Sequence, residues 1–348
     1  MMEAAIQPPD LKVAALTQGK VSRLRLGQHL RMLKNEGITV HEFVSSFGAY
    51  PPPQKAARPL WAVLEVVSRV TDILATHRYD VTFLQRELLS TCLTLEPFTK
   101  GPCVFDVDDS IWLNQRGKGI EKLASICECI ICGNEYIRSW ASIYCADCIL
   151  VPTAVDCRLF QPFDECHPKS IRRIIGWFGQ PANLVYVHEI EKALAIVMRE
   201  RPHVIFRVVS SRRPNLPSIP QERIEYIPWT PESEVSAIQQ MDIGLMPLRD
   251  DEWCRGKCSY KMLLYMACGI PVVVAPFGMN AEVLALGKCG LGAADPDEWV
   301  DALKMILDNE DEAAAMGRAG RKIVTEYFST DVIAPVLART LKKVAGRP

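Results

Sequence analysis

Seven consecutive residues, Arg255-Gly256-Lys257-Cys258-Ser259-Tyr260-Lys261, place three cations, a glycine and a hydroxyl directly ahead of the apolar run Met262 to Ala267. That order of residue types suits anion capture. A helix start presents unpaired backbone N–H groups and roughly half a unit of positive charge, so it can hold phosphate oxygens without a metal. Ser259 is the expected N-cap, Gly256 allows close backbone approach, and Arg255, Lys257 and Lys261 add side-chain charge. An isolated RGK reads equally well as a solvated basic turn; this one sits on the loop entering the last helix-strand unit of a series. Gly176 and Gly179 end another apolar run and would admit a ligand to the backbone, although their spacing is neither a Rossmann fingerprint nor a P-loop. A second polar cluster, Asp106-Val107-Asp108-Asp109-Ser110, puts three carboxylates at the end of an apolar strand.

Short Val-, Ile- and Phe-rich runs alternate with helix-period segments almost throughout, which predicts an α/β fold of parallel sheets covered by helices. In the first half, strands are expected at Val13 to Thr17, Ile38 to Phe43, Val81 to Leu84, Cys103 to Phe105, Cys129 to Cys132 and Ile149 to Val151. Leu60, Val63, Leu64, Val67, Val70 and Leu74 mark one face of a helix, and the period predicts that this face meets the core. A second set follows at Ile174 to Phe178, Val204 to Val209, Ile224 to Ile227, Ile243 to Met246 and Pro271 to Ala275. Thr230-Pro231 and Asp295-Pro296-Asp297-Glu298 read as helix starts. The proline-bearing stretch Val151 to Ser170 marks the crossing between two doubly wound, Rossmann-like domains, residues 1–162 and 163–330, with a final helix over 331–348. Ligands of such sheets bind at the C-terminal strand ends, and two facing domains would share a cleft there.

A chain of 348 residues, 49% apolar, supports two ordinary cores, and a formal charge of -1 argues against a nucleic-acid partner. No signal-peptide core and no stretch of bilayer-spanning length is present, which predicts a cytoplasmic protein whose cysteines are reduced. Cys129-x2-Cys132 and Cys145-x2-Cys148 nevertheless approach zinc-ribbon spacing. Residues three apart on a strand face opposite sides, so no metal site is expected.

The run RGKCSYKMLLYMACGIPVVVAPFGMNAEVL, preceded by IIGWFGQPA, IEYIPWTPESEV and MDIGLMPLRDDEW, resembles the donor domain of family 4 (group 1) glycosyltransferases of GT-B fold. VSRLRLGQHLRMLKNEGI, YDVTFLQRELL, VFDVDDSIW, IICGNEYI and VPTAVDCRLF are similar, in order, to one branch of that family, with FDxDD and RGKC-type motifs. The likeness covers nearly the whole chain. It implies transfer of a sugar from a nucleotide-sugar donor to an acceptor hydroxyl, usually with retention, and no separate cofactor. The acceptor, whether glycan, lipid-linked or small molecule, is unspecified, and peripheral membrane contact is compatible.

By the same resemblance, Gly176, Gly179, Arg255, Gly256, Lys257, Cys258, Ser259 and Lys261 would surround the donor diphosphate. Trp229 would stack on the base or else pack beneath the following helix start. Asp108 or Asp109 would receive or orient the acceptor hydroxyl. Ser22, Arg23 and Arg25 follow the first strand, Gln85, Arg86, Glu87, Asn134 and Glu135 follow later strand ends, and all would line the acceptor side, though surface ion pairing explains any one of them as well. The family's two glutamates, which contact donor sugar and ribose, align with Gly256 and Leu264. Neither can accept a hydroxyl hydrogen bond through its side chain. A nucleotide-sugar-binding or inactive partner protein is therefore the alternative. DVDDS also resembles the nucleophile segment of Mg²⁺-dependent haloacid dehalogenase-type phosphohydrolases acting through Asp106 and Asp108, with the first Asp attacking phosphorus and Mg²⁺ beside it, or it caps a turn.

Overall fold

All eleven strands expected from the apolar runs form. The computed structural model describes residues 10–17, 22–48, 51–89, 93–113, 118–163 and 172–347. Six parallel strands, β1 (Leu11–Thr17), β2 (Ile38–Val44), β3 (Val81–Gln85), β4 (Cys103–Val107), β5 (Cys129–Cys132) and β6 (Cys148–Leu150), pair in the order β2-β1-β3-β4-β5-β6. A second parallel sheet contains β7 (Arg173–Phe178), β8 (Val204–Ser210), β9 (Ile224–Pro228), β10 (Ile243–Met246), β11 (Val272–Val274) and β12 (Gly290–Gly292), in the order β12-β11-β10-β7-β8-β9. The extra strand, β12, has the sequence Gly-Leu-Gly, too short and glycine-rich to register as an apolar run. Strand order reverses between β1 and β3 in the first sheet and between β7 and β10 in the second. Those are the switch points where loops diverge and ligands enter.

Each sheet has its own core. Val13, Phe83, Val104 and Ile131 pack with Leu26 and Leu33 in the first. Trp177, Phe206, Val208 and Leu245 pack with Leu194, Val197 and Leu303 in the second. The compact units are Met1–Ala154 with Thr330–Pro348, and Val155–Ser329. The division comes before the expected one near Pro162, because the residues after Ala154 are tied to the second unit. Val155 N–H donates to Phe328 O, and the Arg321 guanidinium donates to the Cys157, Phe160 and Ala267 carbonyls. Residues 164–170 of the expected crossing, with residue 171 after it, lie outside the described residues, as do residues 1–9 of the N-terminal segment. The final helix, Thr330–Val344, returns to the first unit and buries Ile333, Leu337, Ala338 and Leu341 in its core.

One helix departs from its sequence pattern. In Arg58–Thr76 the buried residues are Glu65, Arg69, Ile73 and Thr76, while Leu60, Val63, Leu64, Val67, Val70 and Leu74 are exposed. The apolar stripe faces away from the core because the opposite face carries hydrogen bonds that need buried partners. Arg69 donates to Thr17 O (2.6 Å), Phe43 O (2.8 Å), Glu65 Oε1 (3.1 Å) and Asp72 Oδ2 (3.1 Å), and Glu65 accepts from Phe47 N–H (3.2 Å). Rotating the stripe inward would carry Arg69 to solvent and leave the Thr17 and Phe43 carbonyls without their donor, at a cost of about 1–3 kcal/mol for each group left unsatisfied.

The two helix starts also differ. Asp295 accepts from Asp297 and Glu298 N–H, and Glu298 reaches back to Ala294 N–H, a closed cap. At Thr230-Pro231 the hydroxyl instead accepts from Ser233 N–H in a turn, and the helix proper begins at Glu234. Among the described residues no helix is long and apolar enough to cross a membrane.

Candidate functional site

The basic loop follows β10, on one side of the switch point in the second sheet. Asp251 caps a short helix, Glu252–Arg255, by accepting from Cys254 N–H (2.7 Å), and the chain turns through Gly256 to Cys258 into the helix Tyr260–Ala267. Ser259 occupies the N-cap position, but its side chain does not cap. It adopts φ 49°, ψ 21°, in the left-handed region, and its hydroxyl donates to Asn280 Oδ1 at 2.7 Å. Asn280 Nδ2 in turn donates to Ala275 O at 3.0 Å, so the first turn of the helix Met279–Ala285 holds Ser259 in a conformation that costs about 1–2 kcal/mol for a non-glycine residue. The first turn of the 260–267 helix is left without a side-chain cap.

Lys261 is carried to the other side of the switch point. Gly179 follows β7, and a Cβ there would lie 2.7 Å from Lys261 Cε, so the absence of a side chain at 179 admits the lysine. Tyr265, one turn along, is wholly buried and its hydroxyl accepts from Phe178 N–H at 2.8 Å, which fixes the helix to the end of β7. Burial pushes the Tyr265 phenol up, so it stays protonated. Gly278, at φ 54°, lets the loop after β11 pass against Arg255, whose Cα would be 3.2 Å from an added Cβ. Arg255 is exposed and pairs with Asp250 (2.7 Å), and Lys257 Nζ lies 5.0 Å from the centre of the Trp253 ring. Cys258 is buried behind the loop.

Other expected donor-side residues are placed differently. Gly176 lies inside β7 rather than at its end, and an added Cβ would meet Met241 Sδ at 2.0 Å, so packing accounts for it. Leu264 is completely buried in the 260–267 helix. Trp229 follows β9, two strands from β7, partly exposed, its N–H donating to Ser210 O. A small cavity of about 70 Å³, lined by Glu189, Pro247, Leu248, Asp295 and Trp299 among others, lies beyond the basic loop's own residues.

In the first unit the polar residues converge on the ends of β1, β3 and β4. Asp106 is internal to β4 and buried, with both carboxylate oxygens on the Arg25 guanidinium (2.6 to 3.2 Å). Arg25 also donates to Val151 O (2.8 Å) and Thr153 Oγ1 (3.2 Å). Burial raises the Asp106 carboxyl above its ordinary range although Arg25 opposes it. A carboxylate so enclosed cannot attack phosphorus, which removes the phosphohydrolase reading of DVDDS. Asp108 and Asp109, just beyond β4, share Arg86. Its Nη2 donates to Asp108 Oδ1 at 2.7 Å and to Asp109 Oδ2 at 2.8 Å, from a backbone at φ 61°. Burial acts to raise Asp108, but the charges of Arg86 and Arg25 and the Arg86 hydrogen bond outweigh it and hold the carboxyl below its usual range.

Gln85 is the distinctive member. It pairs in register with Asp106, is buried, and neither amide atom has a hydrogen-bond partner among the described residues. Thr17 Oγ1, at the end of β1 across the switch point, is likewise buried and unpaired among the described residues. Buried polar atoms without partners are uncommon and mark places where a ligand or water completes the bonding. Asn134 serves locally, capping the helix Glu135–Ala141 by accepting from Ile137 N–H at 2.9 Å. Glu135 forms an exposed pair with Arg138, and Arg23 is exposed, so neither joins the cluster; Arg25 is the inward arginine of that segment.

Among the described residues no three His, Cys, Asp or Glu side chains converge to hold a metal. Cys129 and Cys132 are buried within β5, and burial pushes the Cys129 thiol up to about 12. The described cysteines are all free.

Residues 172–309 match the family model of the group 1 glycosyl transferases. The architecture is GT-B throughout. Sucrose-phosphate synthase from Thermosynechococcus elongatus superposes with a TM-score of 0.72 at 14% identity, covering 97% of this chain and 99% of that one. Anabaena HepE, solved with UDP and glucose, gives 0.66 at 16% identity over 96% and 100% of the two chains. Among curated relatives, D-inositol 3-phosphate glycosyltransferase of Corynebacterium urealyticum is 26% identical over 204 residues, 51% of this chain and 47% of its own. MMP alpha-(1->4)-mannosyltransferase of Mycolicibacterium hassiacum is 27% identical over 209 residues, 57% and 49%. The chain spans about half the length of these curated relatives.

Asn280, Tyr265 and Gly278 support these clusters and were not singled out by sequence reasoning, whereas Arg25 was expected on the acceptor side with Ser22 and Arg23. Asn280 and Gly278 lie in the PFGMN segment of the donor-type motif, and the glycine-asparagine pair after an apolar strand was the available signal. Nothing local marks Tyr265, whose partner is 87 residues away.

Proposed function

We propose that this protein transfers a sugar from a nucleotide-diphosphate sugar to an acceptor hydroxyl, with retention at the anomeric carbon. The observation that carries the reading is the uncapped start of the 260–267 helix with Lys261 drawn to Gly179 at the switch point. The diphosphate would lie on that helix turn, with Arg255 and Lys257 on the approach. As the anomeric C–O bond to the diphosphate breaks, charge grows on the leaving oxygen, and fixed N–H groups and cations stabilise it without rearrangement. This assignment calls for no separate cofactor, because the loop itself supplies the neutralising charge.

The acceptor is assigned to Gln85 with Asp108 and Asp109. The unpaired Gln85 amide would bond the acceptor, and the Arg86-held carboxylates would orient its hydroxyl as the new bond forms and the proton leaves. With its carboxyl held low, Asp108 orients the hydroxyl, and the diphosphate oxygen released as the anomeric C–O bond breaks takes the proton. Free cysteines support a cytoplasmic setting.

The test is a thermal-shift screen with UDP-, GDP-, ADP- and TDP-sugars, followed by donor hydrolysis with and without chelator. One nucleotide-sugar should raise the melting temperature and be slowly hydrolysed at a chelator-independent rate. Binding without any turnover would favour a nucleotide-sugar-binding or partner protein, a reading that the buried Leu264 keeps open. No binding at all would remove the proposal.

A further inference from the structure

The helix Arg58–Thr76, about 28 Å long, turns Leu60, Val63, Leu64, Val67, Val70 and Leu74 to solvent in one stripe, with Leu60, Val67 and Leu74 at 65%, 62% and 64% exposure. Thr71 is the one other exposed residue between Leu60 and Thr76, and its hydroxyl donates to Ser68 O. No charge interrupts the stripe. The acids of the helix, Glu65 and Asp72, are both drawn to Arg69 on the opposite face, and Arg69's bonds to the Thr17 and Phe43 carbonyls fix the helix rotation. Cations stand at both ends instead. Lys55 and Arg58 precede the stripe and Arg78 follows it, all exposed and none paired with a carboxylate among the described residues. His77 and Arg78 N–H still donate to Leu74 O and Ala75 O, so the last turn carries Arg78 onto the line of Leu74, four residues before it. We propose that this helix lies flat on an anionic phospholipid surface, with its leucines and valines at the acyl boundary and Lys55, Arg58 and Arg78 among the headgroup phosphates.

Charge and side-chain type select lipid over protein as the occupant. Two copies paired along this helix, in either orientation, would set the terminal cations against one another, whereas anionic headgroups complement all three. A protein partner draws its affinity from aromatic and arginine anchors seated in pockets, and the stripe consists of leucine and valine alone. Such a surface specifies no register, and a bilayer requires none. At the N-terminal end Phe47, exposed and accepting from Trp61 Nε1 through its carbonyl, widens the apolar surface. The buried Glu65 and Arg69 face keeps the helix on the surface rather than across it.

The full chain should co-sediment with phosphatidylcholine–phosphatidylglycerol vesicles, much less with phosphatidylcholine alone, and should be released as sodium chloride is raised. Val67→Glu and Leu74→Glu, both at exposed positions, should each abolish that binding with an unchanged melting temperature. Phe98→Glu, equally exposed in the same unit but outside this helix, should bind as the wild type does. Lys55→Gln, Arg58→Gln and Arg78→Gln should each weaken binding roughly fivefold. A wild type that stays in the supernatant, equal binding to the two kinds of vesicle, or a Val67→Glu variant that sediments with the wild type's efficiency would overturn the proposal. So would a lipid-free dimer in sedimentation velocity that Val67→Glu dissolves, since it would assign the face to a second copy.

Discussion

Lys261 and Gly179 provide the sharpest test of the donor assignment, because one residue's position depends on the other's lack of a side chain. Lys261→Met keeps an aliphatic stem against the end of β7 and removes only the ammonium. A hydrogen bond to a charged group contributes about 1.5–3 kcal/mol, so affinity for a nucleoside diphosphate should fall by roughly ten- to a hundredfold, with little change for the nucleoside alone. Gly179→Ala places a Cβ 2.7 Å from Lys261 Cε and should evict the ammonium, reproducing much of that loss. The same Cβ comes within 2.8 Å of the Trp177 ring, so this variant should also lose about 1–3 kcal/mol of stability, read separately by melting. Titration calorimetry of the wild type, both singles and the double closes the cycle. If the two act through one ammonium, the double variant binds no more than about twofold worse than Lys261→Met. Wild-type affinity in Lys261→Met, or losses that multiply in the double, would refute the geometry.

His29 should make the first unit sensitive to acid. Burial, assisted by Arg25, lowers its pKa from 6.5 to about 4, so between those values the unfolded chain binds the extra proton. The imidazole's contribution is intact above pH 6.5 and is lost as pH falls toward 4, amounting to about 2 kcal/mol at pH 5. His29→Leu should show a smaller difference between urea unfolding at pH 7.5 and pH 5; an unchanged difference rules the histidine out. Gln85→Met removes two buried amide atoms that lack partners among the described residues, so it should cost no stability while raising the acceptor KM and sparing donor hydrolysis. A destabilised variant with a normal acceptor KM would make Gln85 structural. Leu264→Gln buries an amide where the family places a ribose contact; its melting temperature without ligand should drop, and nucleotide should recover more of it than in the wild type. Equal ligand-induced shifts in the two proteins would mean that the ribose lies elsewhere.

The sequence by itself determined the sheets. Val81 to Leu84 is buried throughout and Val204 to Val209 is buried except at Ile205, and such two-sided burial leaves few alternatives to a parallel strand. Local chemistry determined the Asp295 cap for the same reason, since donor and acceptor are within a few residues. The basic loop was visible because its charges and its helix are contiguous.

What tertiary structure alone decided depends on partners far apart in the chain. Helical periodicity marks Leu60 to Leu74 as one face but carries no sign for inside or outside. The sign came from Arg69, whose acceptors include Thr17 O and Phe43 O on two strands. Asp106, Asp108 and Asp109 look equivalent in sequence; strand register buries the first against Arg25 and leaves the other two to Arg86. Ser259 is an ideal cap by residue type, yet Asn280, 21 residues on, takes its hydroxyl and holds it left-handed, leaving the helix start without a side-chain cap. In each case one polar group had several local options, and the one adopted satisfied a buried partner contributed by another element.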